Sequence, residues 1–199
     1  YEQYGRSWLA DRMLAITTIA LATYLEDRRF EAVPVQDLPP EAPPAGIAVE
    51  SGKPEPNVIV DVYDAAVRAG LGEFGLSGEF LSPRFGPRQR FQLVLTDAQL
   101  EPTPLLQEPV CDRCQQCMEA CPLGAFSGAT SMLTVCGKPM EIAETNWSIC
   151  RDCRNGARPN AAHPAGKPDR VGAVCMRTCI QHLEQTGRIE NRFENPFRK

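Results

Sequence analysis

All nine cysteines of this 199-residue chain lie between Cys111 and Cys179, and the first 110 residues contain none. A disulfide-stapled secreted domain would be short and cysteine-rich throughout, and an odd count leaves one thiol over. Crowding into one segment points to metal ligation. That constrains the second half of the chain more tightly than any hydrophobic pattern does.

Cys111, Cys114, Cys117 and Cys121, followed by Pro122, read C-x2-C-x2-C-x3-C-P, the run that holds 4Fe-4S clusters in bacterial ferredoxins. Three thiolates on one tight loop reach three irons of a single cube, and backbone amides remain free to bond the sulfurs. The fourth cysteine, one helical turn further on, points away toward a second cube, and the proline ends the loop. Zinc also favours C-x2-C pairs, but it takes them as two separated pairs rather than four cysteines crowded together.

A second run is present in degraded form. Cys175 and Cys179 keep the x3 spacing, Gly172 stands where a preceding cysteine would be, and no proline follows Cys179. Cys150 and Cys153 form a C-x2-C pair upstream, separated from Cys175 by a loop with Pro159, Pro164 and Pro168. The expected division puts Cys111, Cys114, Cys117 and Cys179 on one cluster and Cys121, Cys150, Cys153 and Cys175 on the other. Cys136 is then the spare, read as a small buried thiol, with a ligand swap with Cys150 or Cys153 as the alternative. His163 and His182, residues able to replace a cysteine on an exposed cluster, are read as solvated.

The rest of the chain sets limits. Its length suits one large domain or a medium domain with an appendage, able to bury about 70% of its unfolded surface. The net charge is −4, from 21 basic and 25 acidic side chains, with no basic run of the kind that reads phosphates. No apolar run approaches the roughly 18 residues of a membrane span, and Met13 to Leu25, interrupted by Thr17, Thr18 and Thr23, reads as a buried helix. No secretory leader stands at the start, so a cytoplasmic location is expected. The opening Tyr1 also suits a mature form with its leader removed, a subunit or a fragment.

Helical spacing of Trp8, Leu9, Arg12, Met13, Ile16, Ala20 and Tyr24 predicts a helix over 8–25. A short strand is expected over Phe30 to Val35, then a proline-rich surface loop over 36–57. Val58 to Ala69 reads as a second helix with Gly70 as its C-cap, and Phe91 to Thr96 alternates like a strand. Gly70, Gly72, Gly75 and Gly78 make a tight connection where backbone approaches something flat or large. Arg188 to Lys199 is a polar tail that wraps back or frays.

The stretch Ala69 to Gly75, then Leu81 to Arg88, then Leu95 to Asp97 and Leu100 to Pro102, leads into the cysteine run. That order resembles the corrinoid-dependent reductive dehalogenases and the related epoxyqueuosine reductases, as does the segment Tyr24 to Ala32. The resemblance covers most of residues 4–185. It implies an α+β chain with a nitroreductase-like, corrinoid-binding-type domain over 1–105, incomplete here. A two-cluster ferredoxin-like domain over 106–187 and a tail over 188–199 would follow. It implies a cobalamin beside two 4Fe-4S clusters, with Gly70, Gly72, Glu73, Phe74, Gly75 and Leu76 against the corrinoid pocket. Tyr4 falls near the family's proton donor, with Tyr1 as an alternative; the plain reading of Tyr4 is an aromatic packed on the first helix. Glu73 is either a titratable pocket group or a solvated turn residue.

Leu76 departs from the family, which carries an arginine or a lysine there. That cation orients the proton donor and stabilises developing negative charge, so its absence argues against ordinary dehalogenation. Two functions are expected. One is a reductase in which the clusters pass electrons to a cobalamin or a partner active site. The other is a non-catalytic electron-transfer subunit of a larger oxidoreductase with no corrinoid. Implied partners are an electron donor such as a ferredoxin, flavodoxin or reductase domain, and a chain completing the N-terminal domain, with neither nucleic acid nor a membrane span.

Overall fold

The computed structural model describes residues 8–35, 51–52, 60–159, 167–170 and 172–191. They form a mixed α+β arrangement of five helices and three two-stranded antiparallel sheets.

Helix α1 runs Trp8–Glu26. It stops because Arg29 takes the left-handed conformation (φ 70°) usually left to glycine, with Arg29 N–H donating to Glu26 and Phe30 N–H to Leu25. Phe30 is therefore spent on the helix end, and strand β1 begins two residues later than the alternation suggests, at Ala32–Val35. It pairs antiparallel with β4, Leu93–Thr96. This sheet is too narrow to cover α1. Among the helix residues whose burial is described, 12–26, only Thr18 and Ala22 are buried, while Met13, Ile16, Ile19, Leu21 and Tyr24 are exposed. The expectation of a buried helix is thus corrected.

Helix α2 occupies Val62–Arg68, later than the apolar pattern implies, because the Asp61 side chain caps it by accepting from the Tyr63 and Asp64 N–H groups. Ala69 is the C-cap. Gly70 follows at φ 73°, and the bonds Gly70 to Val67 and Leu71 to Ala66 close a Schellman motif. Two short strands come next, β2 at Glu73–Phe74 and β3 at Phe80–Leu81, paired around residues 75–79.

In the cysteine segment, α3 is the single turn Gln116–Glu119. A long hairpin follows, β5 at Phe126–Val135 and β6 at Lys138–Thr145, which the sequence reading leaves unassigned. Its two-residue turn is Cys136-Gly137, both with positive φ (49° and 78°), the geometry that matches strand twist. Helix α4 (Trp147–Arg151) is capped by Asn146 accepting from Ile149 N–H, and α5 runs Val174–Gln185.

Three apolar clusters hold these pieces together. The largest joins α2, β2 and β3 to the hairpin through Ala66, Val67, Phe74, Phe80, Val135 and Met140. Phe80 meets Phe91 edge-on at 4.9 Å and Tyr63 meets Phe91 at 5.9 Å, contacts worth about 0.5–1.5 kcal/mol each beyond area burial. Leu81, Val110, Leu183 and Ile189 form a second cluster, so both clusters draw residues from either side of position 105. The start of the polar tail wraps back: Ile189 is buried, and Glu190 and Asn191 donate to the carbonyls of Pro83 and Arg84. Among the described residues no helix is long and apolar enough to cross a membrane.

Candidate metal centre

Between Cys111 and Cys117 the backbone turns through two left-handed residues, Arg113 (φ 61°) and Gln115 (φ 63°). These rarely occupied conformations coil the loop tightly enough to bring three thiols round one point. Helix α3 then buries Cys117, and α5 packs against it. On α5, Cys175 and Cys179 sit one turn apart on one face. The short capped α4 sets Cys150 within the buried interior and leaves Cys153 just beyond its end.

The result is two groups of four. Cys111, Cys114, Cys117 and Cys179 line one cavity, together with Gly75, Leu76 and His182. Cys121, Cys150, Cys153 and Cys175 line the other, together with Arg170 and Phe126. The first group takes three cysteines from the first run and one from α5; the second takes one from the first run, the Cys150 and Cys153 pair, and one from α5.

Electrostatics tie the thiols together within these groups. Burial pushes Cys117 up to about 12, and negative charge on Cys111 and Cys114 adds to it. Burial pushes Cys175 up to about 11, Arg170 partly opposing the rise and Cys150 reinforcing it. Cys179, Cys150 and Cys114 are also raised, each chiefly by burial. Such thiols ionise together only against positive charge, which is what iron supplies. Amide donors to sulfur are present at both groups: Leu76 N–H to Cys111 Sγ at 3.4 Å and Ala125 N–H to Cys121 Sγ at 3.3 Å.

Two residues lie elsewhere than the sequence suggests. Cys136 is exposed at the hairpin turn, in neither group, with its Sγ 3.5 Å from Arg68 Nη1; it is not a buried thiol. His182 is not solvated. Its Nε2 lies 2.7 Å from Asp112 Oδ2 and its Nδ1 3.2 Å from Gln116 Nε2, so both ring nitrogens are engaged beside the first group. Tyr1, Tyr4 and His163 lie outside the described residues.

The glycine motif has a definite place. Residues 72–78 are all buried. A Cβ on Gly70 would meet the Pro104 carbonyl, one on Gly72 the Leu81 carbonyl, and one on Gly75 Leu81 Cδ1 at 2.6 Å. Glu73, only 3% exposed, accepts from the N–H groups of Val110 (2.8 Å) and Cys111 (2.9 Å) and pairs with Lys138 Nζ at 2.9 Å. It is neither solvated nor free. Phe74 and Leu76 are buried as well. The close backbone approach that the glycines signal is therefore met by the protein itself.

Sequence reasoning missed Arg170. Its side chain is 1% exposed, with Nε donating to Glu79 Oε1 at 2.8 Å and Nη2 to the Ser77 carbonyl at 2.7 Å. Only its position in a cysteine-spanning loop hinted at a role.

No family model matches the sequence. A stretch of 86 residues, 42% of the chain, is 36% identical to a tetrachloroethene reductive dehalogenase of Dehalobacter restrictus, covering 16% of that protein. The same figures hold for one from Desulfitobacterium hafniense. A second protein of that name from Desulfitobacterium hafniense is 43% identical over 65 residues, 31% of this chain and 12% of the relative. The chain thus matches only a small part of each relative's length, and over that part its relationship is to reductive dehalogenases.

Proposed function

We propose that this chain is an iron–sulfur electron-transfer protein of reductive dehalogenase-like character, carrying two 4Fe-4S clusters in a ferredoxin-like second half. Cys111, Cys114, Cys117 and Cys179 hold the first cluster, and Cys121, Cys150, Cys153 and Cys175 the second. The observation that carries this is the sorting of eight cysteines around two separate cavities, four to each, with Cys136 lining neither. Thiolate-only donor sets with amide N–H groups aimed at sulfur suit such clusters. When bound, the clusters supply one-electron transfer. The protein's part is to bury Cys117, Cys150 and Cys175, donate the Leu76 and Ala125 N–H groups, and hold the cysteine loop through Glu73.

The first half reads best as part of a nitroreductase-like domain, and the chain as a relay to a partner active site. The glycine motif supports this, because its faces are filled from within and Leu76 brings no charge. The uncovered apolar side chains of α1 support a partner segment completing this half. An upstream donor of the ferredoxin or flavodoxin type completes the relay.

Two single substitutions test the ligand division. Cys117→Ser should reduce the first cluster's signal and spare the second, and Cys175→Ser should do the reverse, read by EPR of the reduced protein. Loss of both signals from either change, or of neither, contradicts the division. Reconstitution with hydroxocobalamin tests the relay reading: a plain broad iron–sulfur absorption supports it, and stoichiometric corrinoid retention supports an enzyme instead.

A further inference from the structure

Arg170 presents a buried cation with one donor unused. Its Nε and Nη2 are taken by Glu79 and Ser77, but Nη1 is buried and has no hydrogen-bond partner among the described residues. Leaving such a donor unpaired is costly, and native structures seldom do so without reason. The side chain also lines the cavity of Cys121, Cys150, Cys153 and Cys175. Its guanidinium lies 5.0 Å from the Trp147 ring centroid and 5.7 Å from that of Phe126, aromatic walls that fix its plane and exclude water.

We infer that Arg170 is a ligand-shell donor to the second cluster, with Nη1–H bonding a cluster or cysteinyl sulfur and its charge raising that cluster's reduction potential. The inference rests on the two-cluster reading. One-electron reduction adds a negative charge to a cluster already made anionic by its thiolates. A fixed cation in a water-free site stabilises the reduced form more than the oxidised one, and a hydrogen bond to sulfur acts in the same direction. Glu79, partly exposed, offsets this charge from the far side of the guanidinium.

The placement also links the two centres. Ser77 and Glu79 belong to the five-residue connection between β2 and β3, and Leu76 in the same connection donates to Cys111 at the first group. One short segment thus touches a ligand of the first cluster and orients the cation of the second.

The test is an EPR-monitored redox titration of the whole anaerobic protein, the second cluster's signal being assigned by its loss in Cys175→Ser. Arg170→Gln should move the midpoint of the second cluster to more negative potential and leave that of the first in place. Arg170→Lys should restore much of the shift. Glu79→Gln should move the second midpoint the opposite way, toward positive potential, because it removes the offsetting charge. A purely structural role predicts none of this sign reversal. Unmoved midpoints, or shifts of the same sign in Arg170→Gln and Glu79→Gln, overturn the inference. If Arg170→Gln fails to hold iron, the sign of the Glu79→Gln shift still decides. If the unmodified chain holds no second cluster, the cluster reading itself falls, and the role of Arg170 with it.

Discussion

Leu76 donates its backbone N–H to Cys111 Sγ across 3.4 Å, joining the glycine motif of the first half to the first cysteine of the run. Glu73, three residues earlier, accepts from the N–H groups of Val110 and Cys111. The glycine motif and the cysteine run are therefore one site. The motif's buried backbone is a wall of the first cysteine-lined cavity, and its glycines let that wall pass close to Leu81 and Pro104.

Removing the Glu73 carboxylate should loosen that wall. Glu73→Ala strands two backbone donors and leaves Lys138 with only the Leu106 carbonyl, a loss of about 3–5 kcal/mol by the usual cost of breaking a buried pair. Glu73→Gln keeps an acceptor in place and should cost less, about 1–2 kcal/mol. Denaturant midpoints check the order. Cluster loss in Glu73→Ala should begin with the signal of the Cys111 group.

Cys136 should be dispensable for iron. Cys136→Ala is expected to leave iron content unchanged, since the residue stands at the hairpin turn apart from both groups. Its left-handed backbone (φ 49°) also favours Cys136→Gly, which should stabilise the protein by about 0.5–1 kcal/mol through relief of strain, less any entropy returned to the unfolded chain. Loss of half the iron in Cys136→Ala contradicts the assignment.

The iron-free chain should be alkali-sensitive. Cys117 and Cys175 are pushed by burial to about 12 and about 11, above the ordinary 9.0. Below pH 9 both states keep these protons. Above it the unfolded chain sheds them first, so stability is full below about pH 9 and is lost as the pH rises toward 11–12. The iron-loaded protein, its thiolates already deprotonated, should lack this dependence. Denaturant midpoints at several pH values compare the two forms.

How much of this was legible in the sequence follows from range. Which cysteines line each cavity follows from local features, the C-x2-C-x2-C-x3-C spacing and the placement of Cys175 and Cys179 on one side of a helix. Helices α1 and α2 were readable by period, and α2's late start is a matter of Asp61 capping it. The hairpin was not, because residues 127–132 of β5 are all exposed and carry no inward–outward alternation; only its left-handed Cys136-Gly137 turn marks it. The burial of α1 was misread because an apolar helix does not say which side is covered, and the sheet beneath it is four residues wide. Arg170, Glu73 and His182 owe their roles to partners 91, 37 and 70 residues away, distances over which sequence pattern carries no signal.

The central claim is tested most directly by counting iron and acid-labile sulfide in anaerobically purified protein, with EPR of the reduced form. Two complete cysteine groups predict about eight irons and eight sulfides per chain, and two interacting reduced 4Fe-4S signals. Zinc in place of iron, or only about four irons with a single signal, would contradict the account.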